Sequence, residues 1–211
     1  MTIEQIKSEG LDLPYATWES LYDAGYIPSN ASMTQRKITE KTYAKIATDI
    51  NPNEVVLDFS SGLGNGTKVL RELGFTVDAY EPFYNNIQGV AKPEFDSSYD
   101  IPSDYYDVII NNAVLNVVPN STATEIVEEI YRVLKPGGRA YVSVRSWSGA
   151  VKSLVKNGTI VGPREVLTSK KTFQRGYTTG SLLNFVSTVL PQAELSPSPF
   201  GDIKVKIVKK I

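Results

Sequence analysis

The feature that most constrains the fold of this chain is a short apolar run that ends in an acid and a glycine-rich turn. Val55, Val56 and Leu57 form the run, Asp58 follows it, and three glycines lie in the turn at 60–66. A continuous apolar run of this length is typical of a strand buried on both faces of a sheet. Glycine takes positive φ without steric cost and lets a ligand approach the main chain. The segment therefore predicts a buried strand, a ligand-binding turn and a helix that starts at the turn.

The rest of the chain alternates between apolar runs and amphipathic segments. We predict helices over 34–50, 67–73, 121–134 and 179–190, and strands over 55–57, 75–80, 107–112, 139–145 and 201–208. Helices and strands that alternate at short spacing favour a mainly parallel sheet with right-handed crossovers. The lysines of 201–208 alternate with apolar residues, which favours an edge strand protected from aggregation, and the tail lysines after it would add solubility.

Composition narrows the chemistry and the setting. The 211 residues carry a formal net charge of −1, so no basic excess indicates binding to nucleic acid or to an acidic membrane. The sequence contains no cysteine and no histidine, which excludes disulfides, Cys/His metal sites, thiol nucleophiles and imidazole bases. No apolar run approaches the roughly 20 residues that cross a bilayer, and the first residues lack the pattern of a secretory signal. We expect a cytoplasmic protein without a metal site.

A second carboxylate stands at the end of the next predicted strand. Glu81 follows Asp58 by 23 positions, and an acid at such a place can accept hydrogen bonds from both hydroxyls of a ribose. A glycine turn alone is also compatible with an ordinary tight turn beside a solvated glutamate. The turn and the acid together favour a cofactor site.

Four segments in fixed order resemble the landmarks of class I S-adenosylmethionine-dependent methyltransferases. They are VLDFSSGLGNG at 56–66, DAYEP at 78–82, DVIINNAVLNVVP at 107–119 and LKPGGRAYVSV at 134–144. The resemblance covers roughly residues 53–146 and implies S-adenosyl-L-methionine as the methyl donor. It also implies a Rossmann-like α/β fold with a seven-stranded, mostly parallel sheet of order 3-2-1-4-5-7-6 and helices on both faces.

The same resemblance divides the chain and assigns its cofactor contacts. The methyltransferase domain would span 33–211, with a lid or insertion at 146–176, behind an N-terminal leader or cap at 1–32. The expected cofactor-binding residues are Asp58, Ser60, Gly62, Gly64, Glu81, Pro82, Phe83, Asp96, Asn112 and Ala113. The first acid and the glycines would border the methionine part, Glu81 would hold the ribose, Pro82 or Phe83 would pack on the adenine, and Asp96 would lie near the adenine amino group.

Asn112 and Asn116 are the candidate catalytic residues, because the resemblance places the end of this strand at the methyl-transfer site. Amino-methylating DNA enzymes carry an Asp/Asn-Pro-Pro-aromatic element there. This chain has Asn111-Asn112-Ala113-Val114 instead, which argues against that standard chemistry. The asparagines could equally cap backbone groups at the strand end.

Ser60 departs from the family pattern, which has glycine at this position. Serine tolerates fewer backbone conformations. Its hydroxyl either contacts the cofactor or marks a reshaped pocket. We favour the first interpretation, because Gly62 and Gly64 still permit close approach of a ligand.

The expected function is transfer of a methyl group to nitrogen or oxygen of a small-molecule or nucleic-acid-related acceptor. The sequence does not indicate the oligomeric state of the protein. The alternatives are a catalytically inactive S-adenosylmethionine-binding or regulatory module and, last, a nicotinamide-dependent oxidoreductase, whose loop needs a different glycine spacing. The segment KTFQRGYT at 171–178 further resembles a group of methyltransferases associated with phage and DNA-modification loci.

Two clusters have both functional and ordinary explanations. The leader aromatics would cap the acceptor site or simply pack on the core; they are Tyr15, Trp18, Tyr22 and Tyr26. A basic group would bind a phosphate-bearing substrate or form a solvated loop; its members are Arg164, Lys170, Lys171 and Arg175.

Overall fold

The structure is a computed structural model that describes Leu21, Gly25 and residues 38–86, 90–198 and 203–211. The four aromatic residues of the leader therefore lie outside the described residues. No helix in the described ranges is long and apolar enough to span a membrane.

The described residues form an alternating series of helices and strands. In chain order these are α1 (Ile38–Ile46), β1 (Val55–Phe59), α2 (Asn65–Glu72), β2 (Thr76–Tyr80), β3 (Tyr106–Asn112), α3 (Asn120–Val133), β4 (Leu134–Val144), β5 (Thr159–Gly162), β6 (Glu165–Leu167), β7 (Phe173–Arg175), α4 (Thr179–Val189), β8 (Glu194–Pro197) and β9 (Ile203–Val208). Short 3-10 turns lie at Ala47–Asp49, Tyr84–Asn86, Ser98–Asp100 and Lys152–Asn157, and a π-helical turn at Trp147–Val151.

Six strands form the main sheet in the order β2-β1-β3-β4-β9-β8. The first four are parallel, whereas β9 is antiparallel to β4 and β8 is antiparallel to β9. Alternate strand residues serve opposite faces: Leu57 and Ile109 pack under α3 and α4, and Val56 and Val108 pack under α1 and α2. The predicted α/β sheet with helices on both faces is confirmed.

The sheet has six strands among the described residues, not the predicted seven. The six follow the predicted order with its third strand left out. At the outer side of β2, where that strand would lie, there is an isolated parallel bridge between Tyr80 and Phe95.

Side chains satisfy the backbone groups that a seventh strand would pair. Arg71 donates to the carbonyl of Val77 through Nε at 3.0 Å and Nη2 at 2.6 Å. The Glu94 carboxylate accepts from the amide of Ala79 at 2.8 Å and from Arg71 at 2.9 Å. Since unpaired backbone groups at a sheet edge need partners, this ion pair takes the place of part of a strand.

The prediction that 201–208 forms an edge strand is wrong. β9 pairs with β4 on one side and with β8 on the other, so β8 is the edge. Two lysines of this region also have partners: Lys206 of β9 places its Nζ 3.8 Å from Asp49, and Lys209, directly after β9, donates from Nζ to the carbonyl of Tyr131 at 2.8 Å. The alternation of lysine and apolar residues in β9 indicates that its two faces differ in polarity. It does not indicate which strands pair with β9.

A second, three-stranded antiparallel sheet of order β5-β6-β7 occupies much of the predicted lid or insertion. It has a small core of its own. Leu21, from the leader, and Val117, from the loop after β3, pack there with Val161, Leu167 and Phe173. The small sheet is thereby joined to the end of β3.

Candidate functional site

The carboxyl ends of three parallel strands meet at one edge of the main sheet. Asp58 of β1 is level with Ala79 of β2 and Ile110 of β3. The chain passes from β1 outward to β2 and then returns to the other side of β1 as β3. Ligands of open α/β sheets bind beyond the strand ends at such a reversal.

The turn after β1 is built from left-handed backbone. Ser60, Gly62 and Gly64 have φ of 64°, 59° and 74°. The amide of Ser61 donates to the carbonyl of Tyr80 at 2.9 Å, and the amide of Gly64 donates to the carbonyl of Ser61 at 3.0 Å. Glycine is at home in this region, whereas a serine there stores strain on the order of 1 kcal/mol. The strained residue is the one at which the sequence departs from the family pattern.

Glu81 lies at the end of β2 with only 2% of its surface exposed. Its Oε2 accepts from the amide of Gly62 at 2.7 Å, and its Oε1 accepts from the amide of Phe83 at 3.1 Å. Burial raises the pKa of this carboxyl above its usual value, although the two backbone hydrogen bonds act to lower it. The predicted acid therefore contacts the predicted turn directly.

A cavity of about 510 Å³ opens beside the turn. Gly62, Gly64 and Glu81 line it together with residues along the whole length of α2 and the segment 90–94. Free amide groups and the positive end of a helix dipole favour a polar or anionic ligand group near such a helix start.

Asp58 lies behind the turn and has no exposed surface. Its Oδ1 accepts from the hydroxyl of Tyr43 at 2.5 Å and its Oδ2 from the hydroxyl of Thr67 at 2.6 Å. Burial raises the pKa of Asp58 to about 6, although the two hydroxyls and the charge of Arg71 favour the ionised form. Both carboxylate oxygens already have a partner inside the protein.

Tyr43 is a residue that the sequence did not single out for the site. It is buried on α1, and its ring lies so close to Gly66 that a β-carbon at 66 would stand 2.4 Å from the ring. Burial, reinforced by Asp58, raises the pKa of Tyr43 well above its usual value, so the hydroxyl stays a donor. The glycine at 66 was the available signal, but it does not name its partner.

The other residues expected near the adenosine part of the cofactor are Pro82, Phe83 and Asp96, and they lie near the end of β2 that Glu81 follows. Pro82 and Phe83 follow it directly and are exposed, Phe83 at 37%. Asp96 is exposed and follows Phe95, the residue bridged to Tyr80. All three are therefore placed along the same end of β2.

The end of β3 lies next to the end of β1, where the turn begins. Asn111 bridges two strand ends, since its Nδ2 donates to the carbonyl of Phe59 at 3.1 Å. Asn112 accepts from the hydroxyl of Ser143, and Ala113, with φ of 60°, donates to the carbonyl of Ser143 at 2.8 Å. The neighbouring strands thus fix Asn112 and Ala113 beside the turn.

Asn116 lies farther along this loop and is buried against the small sheet. Its Nδ2 donates to Gln174 Oε1 at 3.3 Å, and its carbonyl accepts from the amide of Arg175 at 2.7 Å. Its Oδ1 is buried without a hydrogen-bond partner. The hydroxyl of Tyr177 donates to the carbonyl of Leu115 at 3.3 Å. The KTFQRGYT segment therefore holds the loop that carries a candidate catalytic residue.

The predicted basic cluster does not form a single surface. Arg175 is 4% exposed and pairs with the fully buried Glu165 at 2.8 Å, whereas Arg164, Lys170 and Lys171 are exposed. Arg175 is thus neither part of a solvated loop nor open to a phosphate at the surface.

Comparison with known proteins identifies similarity to methyltransferases. A family model described as a methyltransferase domain matches residues 31–170. A curated arsenite methyltransferase of Mus musculus is 46% identical over 43 residues, which cover 20% of this chain and 11% of that protein. The matched stretch is thus a small part of its length.

Solved structures are similar over nearly the whole chain. The 1,6-didemethyltoxoflavin-N1-methyltransferase of Burkholderia thailandensis, with 1,6-didemethyltoxoflavin and S-adenosylhomocysteine bound, has a TM-score of 0.62 at 17% identity, covering 95% of this chain and 94% of that one. Human N-acetylserotonin methyltransferase with S-adenosylmethionine has a TM-score of 0.58 at 17% identity, covering 98% and 62%. At these identities the likeness is one of fold.

Proposed function

We propose that this chain, which belongs to the methyltransferase domain family and takes S-adenosylmethionine as its methyl donor, methylates nitrogen or oxygen of an acceptor molecule. The single observation that carries the proposal is the buried Glu81 carboxylate joined to the glycine turn at Gly62. A small-molecule acceptor is supported by the toxoflavin-type N-methyltransferase, whose fold this chain matches over almost its full length.

The cofactor would lie across the turn, with its adenosine toward β2 and its sulfur toward β3. Each oxygen of Glu81 already accepts one backbone hydrogen bond, and a carboxylate oxygen can accept a second. Glu81 therefore has the capacity to bind both ribose hydroxyls. Pro82 or Phe83 would pack on the adenine, and Asp96 would lie near its amino group. Ser60, Gly62 and Gly64 would border the methionine part.

The chemistry asks for alignment more than for acid–base groups. The acceptor's lone pair forms a bond to the methyl carbon as the carbon–sulfur bond breaks, giving S-adenosylhomocysteine, and the acceptor's proton leaves to water. Holding the atoms about 3–3.5 Å apart and in line can supply much of the rate. Because the sulfonium charge disperses in this step, a chain without histidine is suited to it.

Asn112 and Asn116 would orient the acceptor. Asn112 ends β3 and Asn116 lies in the loop that follows it. The side-chain Oδ1 of Asn116 is buried without a partner, and it would accept a hydrogen bond from an N–H or O–H donor of the acceptor. The domain division stays part of the proposal: a leader or cap at 1–32, the methyltransferase domain at 33–211, and a lid at 146–176 that includes the small sheet.

Calorimetric titration with S-adenosylhomocysteine tests cofactor binding. Glu81→Ala is expected to weaken binding by about 1.5–3 kcal/mol, the scale of hydrogen bonds to a charged group. Glu125→Ala, an exposed site on α3, is the matched control and should bind like the wild type. Absence of wild-type binding at millimolar ligand would end the proposal, and an unchanged Glu81→Ala affinity would remove the ribose role.

Methyl transfer is tested with radiolabelled S-adenosylmethionine and a panel of heterocyclic amines and hydroxylated aromatics. Asn116→Ala should retain S-adenosylhomocysteine binding and lose transfer to any acceptor that the wild type methylates. Equal turnover by wild type and variant would show that Asn116 does not orient the acceptor.

A further inference from the structure

Tyr43 contacts the turn at 60–66 without lining the cavity beside it, although it lies before all four landmarks of the sequence. Its hydroxyl donates to Asp58 Oδ1 at 2.5 Å. Its ring faces Gly66, where a β-carbon would lie 2.4 Å away. The residue is 3% exposed and belongs to the core on the α1 and α2 side of the sheet.

Asp58 connects the two ends of the turn. It lies two positions before Ser60 and accepts from Thr67, the residue directly after Gly66, at 2.6 Å. One buried carboxylate therefore joins α1, the end of β1 and the first turn of α2. Any movement of this carboxylate moves both anchors of the turn.

We propose that Tyr43 is a positioning residue for S-adenosylmethionine, holding the turn at 60–66 in its binding shape through Asp58 and through its ring on Gly66. This inference rests on the proposed function. Tyr43 is the donor to Oδ1, so without its hydroxyl that oxygen of the buried carboxylate is left under-satisfied. The carboxylate regains a partner there only by shifting. Since a binding site depends on the residues that lock its contacting groups, such a shift at Asp58 displaces the turn.

A merely structural tyrosine would behave differently. Removing its hydroxyl would lower the stability of the fold without changing the affinity for the cofactor. Tyr106 provides the matched control, because it is fully buried and its hydroxyl donates to Asp78 at 2.8 Å. Tyr106→Phe thus removes a hydrogen bond of the same kind, between a tyrosine and an aspartate, at the start of β3. This is the opposite end of that strand from Asn112.

The experiment compares S-adenosylhomocysteine binding by calorimetry, and thermal unfolding without ligand, for wild type, Tyr43→Phe and Tyr106→Phe. We expect both variants to unfold at a lower temperature. The dissociation constant should rise about tenfold in Tyr43→Phe, equivalent to about 1.4 kcal/mol, and should change less than twofold in Tyr106→Phe. Equal dissociation constants for wild type and Tyr43→Phe would overturn the inference while leaving the proposed function intact.

A double-mutant cycle tests the route through Asp58. If Tyr43 acts through this carboxylate, Asp58→Asn with Tyr43→Phe should bind no more weakly than Asp58→Asn alone, whereas independent effects would multiply. Thr67→Val removes the hydroxyl that donates to the other oxygen of Asp58. It keeps the test decisive if Asp58→Asn does not fold, and it too should raise the dissociation constant for S-adenosylhomocysteine severalfold. Multiplying effects in the cycle, or wild-type affinity in Thr67→Val, would contradict the mechanism, and failure of the wild type to bind would remove proposal and inference together.

Discussion

Asp58 and Glu165 are both fully buried carboxylates, yet different kinds of partner stabilise them. Asp58, under the cofactor turn, accepts from two neutral hydroxyls, those of Tyr43 and Thr67. Glu165, in the small sheet, is paired with the guanidinium of Arg175 at 2.8 Å.

The difference appears in the titration of the groups involved. Hydroxyls solvate an anion but do not neutralise it, so burial still raises the pKa of Asp58 to about 6. In the small sheet the pKa of Arg175 lies above its usual value even though burial alone would lower it, because Tyr177 and Glu165 stabilise the cation. We therefore expect the region around the turn at 60–66 to respond to pH through Asp58, whereas the small sheet depends on a complete ion pair.

The largest expected effect comes from breaking that ion pair. Arg175→Met leaves Glu165 buried without its cation, which destabilises a protein by about 3–5 kcal/mol. The free energy of unfolding, measured by urea denaturation, should fall by this amount. Lys68→Met is the control, because the Lys68–Glu72 pair is 75% and 63% exposed and such pairs contribute about 0–1 kcal/mol. Equal losses in both variants would mean that burial of the pair has no special weight.

The next effect is a pH dependence centred on Asp58. Its pKa rises from 3.8 to about 6 on folding, so the folded state holds the proton more tightly. The resulting stabilisation is present below pH 4 and is lost as the pH rises to about 6, a change of about 3 kcal/mol. Asp58→Asn removes this titration. Urea denaturation should therefore show the wild type losing stability relative to Asp58→Asn between pH 4 and 6, with a constant difference above.

The charged and titratable neighbours of Asp58 are present in both wild type and variant, so the difference reports Asp58 together with its electrostatic coupling to them, including the rise that its charge causes in the pKa of Glu81. They are Tyr43 on α1, Arg71 on α2 and Glu81 after β2. A difference that stays flat from pH 4 to 6 would show that Asp58 titrates near its ordinary value.

The smallest effect distinguishes the two sides by backbone strain. Ser60 in the cofactor turn and Arg164 in the small sheet have φ of 64° and 62°. Ser60→Gly and Arg164→Gly should each stabilise by about 0.5–1 kcal/mol, because relief of left-handed strain exceeds the entropy that glycine adds to the unfolded chain. If the Ser60 hydroxyl contacts the cofactor, only Ser60→Gly should also weaken S-adenosylhomocysteine binding in a calorimetric titration. Unchanged affinity would favour the reshaped pocket instead.

Much of the cofactor side could be predicted from the sequence, because its requirements are local. Positive φ calls for glycine at 62 and 64, and a buried strand calls for a continuous apolar run. Glu81 follows from the same logic, since the ends of neighbouring parallel strands meet at one edge. The structure brings Glu81 and Gly62 into contact as this reasoning expects.

The small sheet could not be predicted in the same way. The segment around 146–176 has polar residues and turn residues without a clear hydrophobic periodicity. Arginine is a residue type that is usually solvated at the surface, so nothing in the sequence indicates that Arg175 is buried. Arg175 is held in the interior by Glu165, ten positions away, and by the carbonyl of Asn116, which accepts from its amide. No local pattern states that these groups meet.

The sequence by itself determined the order of the elements from α1 to β4, the glycine turn, and the acid that faces it, because strand burial and backbone conformation are set by a few adjacent residues. Only the tertiary structure decided that an Arg71–Glu94 pair takes up backbone groups of β2, that β9 is internal, and that Tyr43 reaches Asp58. Those outcomes depend on which side chains from distant segments share one enclosed space, and that is fixed by packing of the whole chain rather than by any segment's own periodicity.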